Sequence, residues 1–185
     1  MSGLIVCTVT TLDTYYTNGA ARIEAQCAEL GLRVCMRRLP YEANGIGDIR
    51  MAVYQHLVAN MVDCLTAYSM PCLLIGCDDE LLGVPDLPEG VDVGVWHNPE
   101  RGMISTHLGL APQVVIWPTV KGVTFGALWY RIMCAHNTND HRALCAAHAL
   151  SAGLQTVFAD ITEAMQGCIK RNVRAKPTKN CGGNR

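Results

Sequence analysis

The stretch from Pro71 to Pro85 passes from a short apolar run, Cys72 to Ile75, into three consecutive carboxylates, Asp78, Asp79 and Glu80. An apolar run bounded by proline reads as a buried strand. Acids at the carboxyl end of such a strand stand where open α/β sheets bind ligands. Neighbouring carboxylates repel one another unless a cation lies among them. Their hard oxygens suit magnesium or manganese bound to a phosphate, which makes Asp78 and Asp79 the candidate metal ligands. The competing reading is an acidic turn facing water.

A second constellation is Cys134, His136, His141, Cys145 and His148, all within fifteen residues. On a helix, positions 141, 145 and 148 share one face, and three nitrogen or sulfur ligands there could hold zinc. The alanines and leucines between them mark the same segment as a packing helix. A zinc-stabilised interaction module is therefore an alternative reading, not the leading one. His97 and His107 lie in or beside a turn-rich segment, Trp96 to Gly109, as loop candidates for a donor or acceptor site. Six basic residues and no acid fall between Lys170 and Arg185, so the formal net of −1 divides into +6 for this tail and −7 for the rest. Such a tail is either a polyanion contact or a solvated terminus.

These residues need a scaffold, and the pattern supplies an alternating one. Leu4 to Thr10 reads as a strand, Asn18 to Leu30 as a helix stopped by Gly31, and Leu32 to Leu39 as a second strand. A long helix follows from Asp48 to Tyr68, with Asp48 as its cap. Val91 to Trp96 and Val114 to Trp117 read as strands, Thr119 to His136 and Asp140 to Leu150 as helices, with Asp140 capping the last. Strands alternating with helices predict a single α/β domain, a mostly parallel sheet with helices on both faces, over residues 1–169, followed by the basic tail 170–185. At 185 residues and half apolar, the chain can bury a sizeable core. It has no apolar run of membrane-spanning length and no secretory leader pattern, which predicts a soluble cytoplasmic protein. The ten cysteines, without a Cys-x-x-Cys pair, read mostly as small apolar residues in a reducing compartment and not as a disulfide framework.

Across most of its length the chain resembles the small type A glycosyltransferases, whose fold is the nucleotide-diphospho-sugar transferase sheet. The resemblance rests on Ile5 to Thr10 with the helix Ala20 to Leu30, on the helix Ile49 to Leu65, and on Leu74-Ile75-Gly76-Cys77-Asp78-Asp79-Glu80, which is similar to the family's Asp-x-Asp strand end. It continues through Trp117-Pro118-Thr119 and Trp129 to Asn139-Asp140-His141-Arg142. It implies a nucleotide-sugar donor, a divalent cation on Asp78 with Asp79, and Arg50 near the donor phosphates. It also implies a cradle for base and ribose from Thr8, Thr10, Asp13 and Tyr15 or Tyr16, with Asp140 and His141 at the reacting sugar. The acceptor is unidentified, and a nucleic acid or other polyanion reached by the tail is one option. The chain departs from the family in that Gly76 or Cys77 stands where the first acid of the motif belongs, and His141 replaces a glutamine. These departures support a rival reading, a catalytically weak nucleotide- or nucleic-acid-binding protein of the same fold.

Overall fold

The computed structural model describes residues 3–42, 47–97 and 110–170. The β-branched run Ile5–Thr10 forms β1, buried at every position, and Arg33–Arg38 forms β2 beside it in parallel, Cys7 opposite Cys35. Between them α1, Thr14–Glu29, starts four residues before the expected helix. A Thr17 hydroxyl folded back onto the Asp13 carbonyl supports that first turn. The long helix α2 spans Gly47–Tyr68, so Asp48 lies inside it and does not precede it as a cap. Next come β3 (Cys72–Leu74), β4 (Glu80–Leu81), β5 (Val93–His97) and β6 (Leu110–Ile116). Helices α3 (Val120–His136) and α4 (Asp140–Leu150) follow, and then β7 (Phe158–Asp160), the four-residue α5 (Thr162–Met165) and β8 (Ile169–Lys170).

Six strands make one sheet in the order β2-β1-β3-β6-β5-β7. Only β6 runs antiparallel to its neighbours, so the expectation of a mostly parallel sheet holds. Alternate strand residues face opposite layers. On one face Ile5, Cys7 and Val9 pack with α2, α3 and α4 around Phe125, Trp129 and Met133. On the other, Val6, Leu73, Ile75 and Val115 pack with Ile23 and Cys27 of α1 and Met165 of α5. No helix of the described residues is long and apolar enough to cross a membrane.

Two details revise the expected organisation. The short β7, α5 and the β4–β8 ribbon were absent from the expected element order, being too brief for periodicity to mark them. Lys170, grouped with the basic tail on charge, ends β8 and pairs with Glu80 at 3.3 Å, so it belongs to the folded unit. The tail beyond it, residues 171–185, lies outside the described residues.

Candidate functional site

The parallel strands β1, β2, β3 and β5 all end at one edge of the sheet, and the acidic turn sits there. After β3, Ile75 still donates to the Cys7 carbonyl at 3.1 Å, and the chain then turns, with the Asp79 amide donating to the Gly76 carbonyl at 3.0 Å. The Asp79 side chain folds back inside this turn. Its Oδ2 accepts from the Gly76 amide and from Gln113 Nε2, each at 2.9 Å, and the residue is 1% exposed. Asp78 is half-buried with its carboxylate over the same glycine. A Cβ at Gly76 would stand 2.6 Å from Asp78 Oδ1 and 3.4 Å from Asp79 Oδ2. Two carboxylates thus converge above Gly76, and restoring the missing first acid of the motif there would require the Asp78 side chain to shift. Burial, aided by the Asp78 charge, pushes the Cys77 thiol up to about 12, so it remains a neutral thiol.

Helix α1 holds this turn with one stripe of residues spaced three and four apart. A glycine within a helix costs about 1 kcal/mol relative to alanine, and Gly19 has a reason to be there: its Cβ would meet the Cys77 carbonyl oxygen at 2.1 Å. One turn on, an Arg22 guanidinium nitrogen donates to the Asp79 carbonyl at 3.1 Å. At the next turn Gln26 Oε1 accepts from the Leu81 amide at 3.0 Å.

Around the turn, polar atoms are enclosed but unmatched. Thr8 Oγ1, Arg22 Nε and Gln113 Oε1 are buried without a hydrogen-bond partner. Continuing the β1–β3 and β3–β6 registers places Thr8 and Gln113 on either side of Ile75, on the α1 face. An unmade hydrogen bond on a buried group costs about 1–3 kcal/mol, and native proteins rarely leave such groups without protein or water. Three such atoms lie beside one acidic turn, which makes this edge the candidate site.

The structure brings most of the sequence candidates to this edge, though not in equal standing. Thr8 and Thr10 are enclosed within β1, the latter donating to the Thr11 carbonyl. Asp13 precedes α1 and accepts from the Thr11 hydroxyl, while Tyr15 presents an exposed ring edge-on to Tyr16, which packs against the α1-side core. Arg50 belongs to the first turn of α2, which enters from this edge, and its side chain lies outside the described residues. His148 packs at a tilt against Phe158, 4.4 Å between centroids, at the start of β7, so α4 runs from the site edge to the opposite one. Asp140 and His141 therefore open α4 at the site edge, their side chains outside the described residues. The cap of that helix is Asn139, whose Oδ1 accepts from the Arg142 amide at 2.8 Å, and not Asp140 as expected. Among the described residues no three His, Cys, Asp or Glu side chains gather as a metal site. His97 ends β5 with its side chain outside the described residues, as is all of His107.

Sequence reasoning passed over Gln113 and Arg22. Gln113 carried a readable signal, a polar residue adjoining the apolar Val114 to Ile116, but the expected strand began one residue later. Nothing in the sequence set Arg22 apart from the other basic residues.

No protein-family model and no curated protein matches the chain. Among solved structures it is similar to the crystal structure of a glycosyltransferase involved in the glycosylation of the major capsid of PBCV-1, with a TM-score of 0.60. That match covers 85% of this chain and 82% of the other at 7% identity. A likeness at that identity shows the fold, which is glycosyltransferase-like.

Proposed function

We propose that the chain is a type A glycosyltransferase that takes a nucleotide-sugar donor at the carboxyl edge of its sheet. The observation that supports this most directly is the set of buried, unpartnered polar atoms from β1, α1 and β6 around the Asp79 turn, in a glycosyltransferase-like fold. A polar ligand entering there would offset a cost that the protein alone leaves standing.

Magnesium or manganese fits the donor set. Such ions are commonly held by one or two carboxylates, with phosphate and water completing the shell, and the Asp78 and Asp79 oxygens converge over Gly76. Asp78 is the principal ligand in this reading, because Asp79 Oδ2 is already engaged by Gly76 and Gln113. When bound, the cation would neutralise charge building on the departing diphosphate. Tyr15 and Asp13 offer a stacking face and an acceptor for base and ribose, and Arg50 a cation for the phosphates. Asp140, first in α4, would take the proton of the acceptor hydroxyl, with His141 next to it. The acceptor is an unidentified hydroxyl compound, with nucleic acid recruited by the tail as one class.

A second reading draws on Gly76. Because the first acid of the motif is absent and Asp78 would have to shift to admit one at Gly76, the same edge suits a protein that binds a nucleotide and transfers sugar weakly or not at all. Thermal melting with a panel of nucleotide sugars, with and without manganese, separates the readings. A ligand at one hundred times its Kd should add about 2.7 kcal/mol of stability. Binding followed by transfer of labelled sugar supports the enzyme, binding without turnover supports the weak binder, and no shift with any donor overturns both. Since Asn139 is the cap, Asp140→Asn should melt near the parent while transfer falls about a hundredfold or more.

A further inference from the structure

The sheet ends at β7, and among the described residues no strand lies beyond it. The Val157 carbonyl accepts from the Val93 amide at 3.2 Å and the Ile161 amide donates to the Val95 carbonyl at 2.9 Å, both toward β5. Main-chain groups alternate in direction along a strand, so those of Phe158 point to the outer side. Such an edge is a template for pairing with another chain, and neither Phe158 nor Ala159 brings a charge or a proline to guard it. The corner where β7 begins is apolar and open. Val120 is 85% exposed as the first residue of α3 and Leu150 63% as the last of α4, while Leu154 and Val157 lie exposed on the approach to β7. Hydrogen bonds hold them together. The Asp92 carboxylate accepts from both the Thr119 hydroxyl and the Val157 amide, and Lys121 Nζ donates to the Gln155 carbonyl at 2.8 Å. Four of the ten large hydrophobics exposed among the described residues thus share one corner, and grouped aliphatics of this kind mark an interaction surface.

We propose that β7 and this corner form the interface of a homodimer, the two copies of β7 pairing antiparallel about a two-fold axis near Ala159. The occupant is a second copy of this chain because the surface is complementary to itself. Lys121 stands at the amino end of β7, held to the Gln155 carbonyl, whereas Asp86 and Glu163 line one pocket with Leu87 and Pro88 at its carboxyl end. An antiparallel pair lays the basic end of each copy against the acidic end of the other, twice. A parallel pair would set acid against acid, which electrostatic complementarity disfavours. A two-fold axis also lets one patch serve both sides. A three-residue strand alone is too short to hold two chains, and the aliphatic corner beside it supplies the apolar area to be buried. Two strands, β6 and β5, separate β7 from β3, so the pairing does not involve the acidic turn.

The test is sedimentation equilibrium of the full chain, with hydrogen exchange to locate the contact. The parent should show a monomer–dimer equilibrium, and exchange at the Phe158 amide should slow as protein concentration rises. Val120→Asp puts a charge into the corner at a position where an acid suits the amino terminus of α3. It should melt near the parent when dilute, while the dimer dissociation constant rises at least about tenfold, or about 1.4 kcal/mol. Lys121→Glu should weaken the dimer too, more at low salt than at high. A chain that stays monomeric at every concentration overturns the proposal, and slow Phe158 exchange in that monomer would mean that the chain's own residues cover the edge. A dimer indifferent to Val120→Asp, with Phe158 exchange independent of concentration, also overturns it, because the interface then lies elsewhere. The parent's mass and exchange decide the matter even if a variant fails to fold.

Discussion

Two buried aspartates stand at opposite edges of the same sheet, and their surroundings differ. Asp92, at the amino edge, uses both carboxylate oxygens. Oδ1 accepts from the Thr119 hydroxyl at 2.5 Å and Oδ2 from the Val157 amide at 2.8 Å. Its backbone carbonyl also takes the Trp117 amide at 3.0 Å, and Thr119 Oγ1 in turn accepts from the Gly122 amide to cap α3. Asp79, at the carboxyl edge, is likewise enclosed and bonded, but single atoms of the residues around it, Thr8 Oγ1, Arg22 Nε and Gln113 Oε1, have no partner in the protein. Of the buried side-chain atoms without a partner among the described residues, those of Thr8, Arg22, Tyr41 and Gln113 belong to residues at or near the carboxyl edge, and only that of Thr156 lies by the amino edge. A saturated network fixes a connection. One with unmatched donors and acceptors leaves desolvation cost standing.

The largest effect should come from cutting the saturated node. Asp92→Ala strips partners from the Thr119 hydroxyl and the Val157 amide. At about 1–3 kcal/mol for each group left unpaired, denaturant unfolding should report a loss near 3 kcal/mol. Any nucleotide-sugar stabilisation should survive in the folded fraction. A ligand response that disappears with Asp92 would erase the distinction between the two edges.

At the other edge, Asp78→Asn removes a charge from a half-buried position that is not part of the core. Its melting temperature should stay near the parent's, while manganese-dependent nucleotide-sugar affinity falls at least about tenfold, or about 1.4 kcal/mol. Equal affinity in the presence of manganese would leave the turn as structure alone.

The unequal legibility of the fold and the site has a physical source. Long periodic segments such as β1, α2 and α3 announce themselves because one face of each is apolar throughout. The ribbon and β7 do not, being shorter than one period of any pattern. The acidic turn was visible because carboxylates are rare next to an apolar strand. What the sequence could not carry was direction: adjacent Asp78 and Asp79 look equivalent in a string, yet Asp78 stays half-buried over Gly76 while Asp79 folds fully inward to Gly76 and Gln113. The cysteines were harder still. Most were read as small apolar residues, and Cys7, Cys27, Cys64, Cys72 and Cys77 are indeed enclosed, but exposed Cys134 is not, and which of them share a face depends on which strands and helices are neighbours in space, which no spacing along the chain records.

The finest test sets two threonines against each other. Thr119→Val deletes a hydroxyl that both donates to Asp92 and accepts from Gly122. It should cost about 1–2 kcal/mol through the lost cap and the unpaired carboxylate oxygen. Thr8→Val deletes a buried hydroxyl that has no partner in the protein, in a side chain of nearly the same shape. Replacing an unsatisfied polar group with an apolar one of equal shape removes a desolvation cost, so the ligand-free protein should become more stable, by about 1 kcal/mol. If that hydroxyl is spare because a ligand uses it, the same variant should bind nucleotide sugar several-fold more weakly despite its higher melting temperature. Opposite signs at the two positions would establish the contrast between the edges. A Thr8→Val variant destabilised like Thr119→Val would mean that the carboxyl edge is satisfied by water and holds no unused bonding capacity.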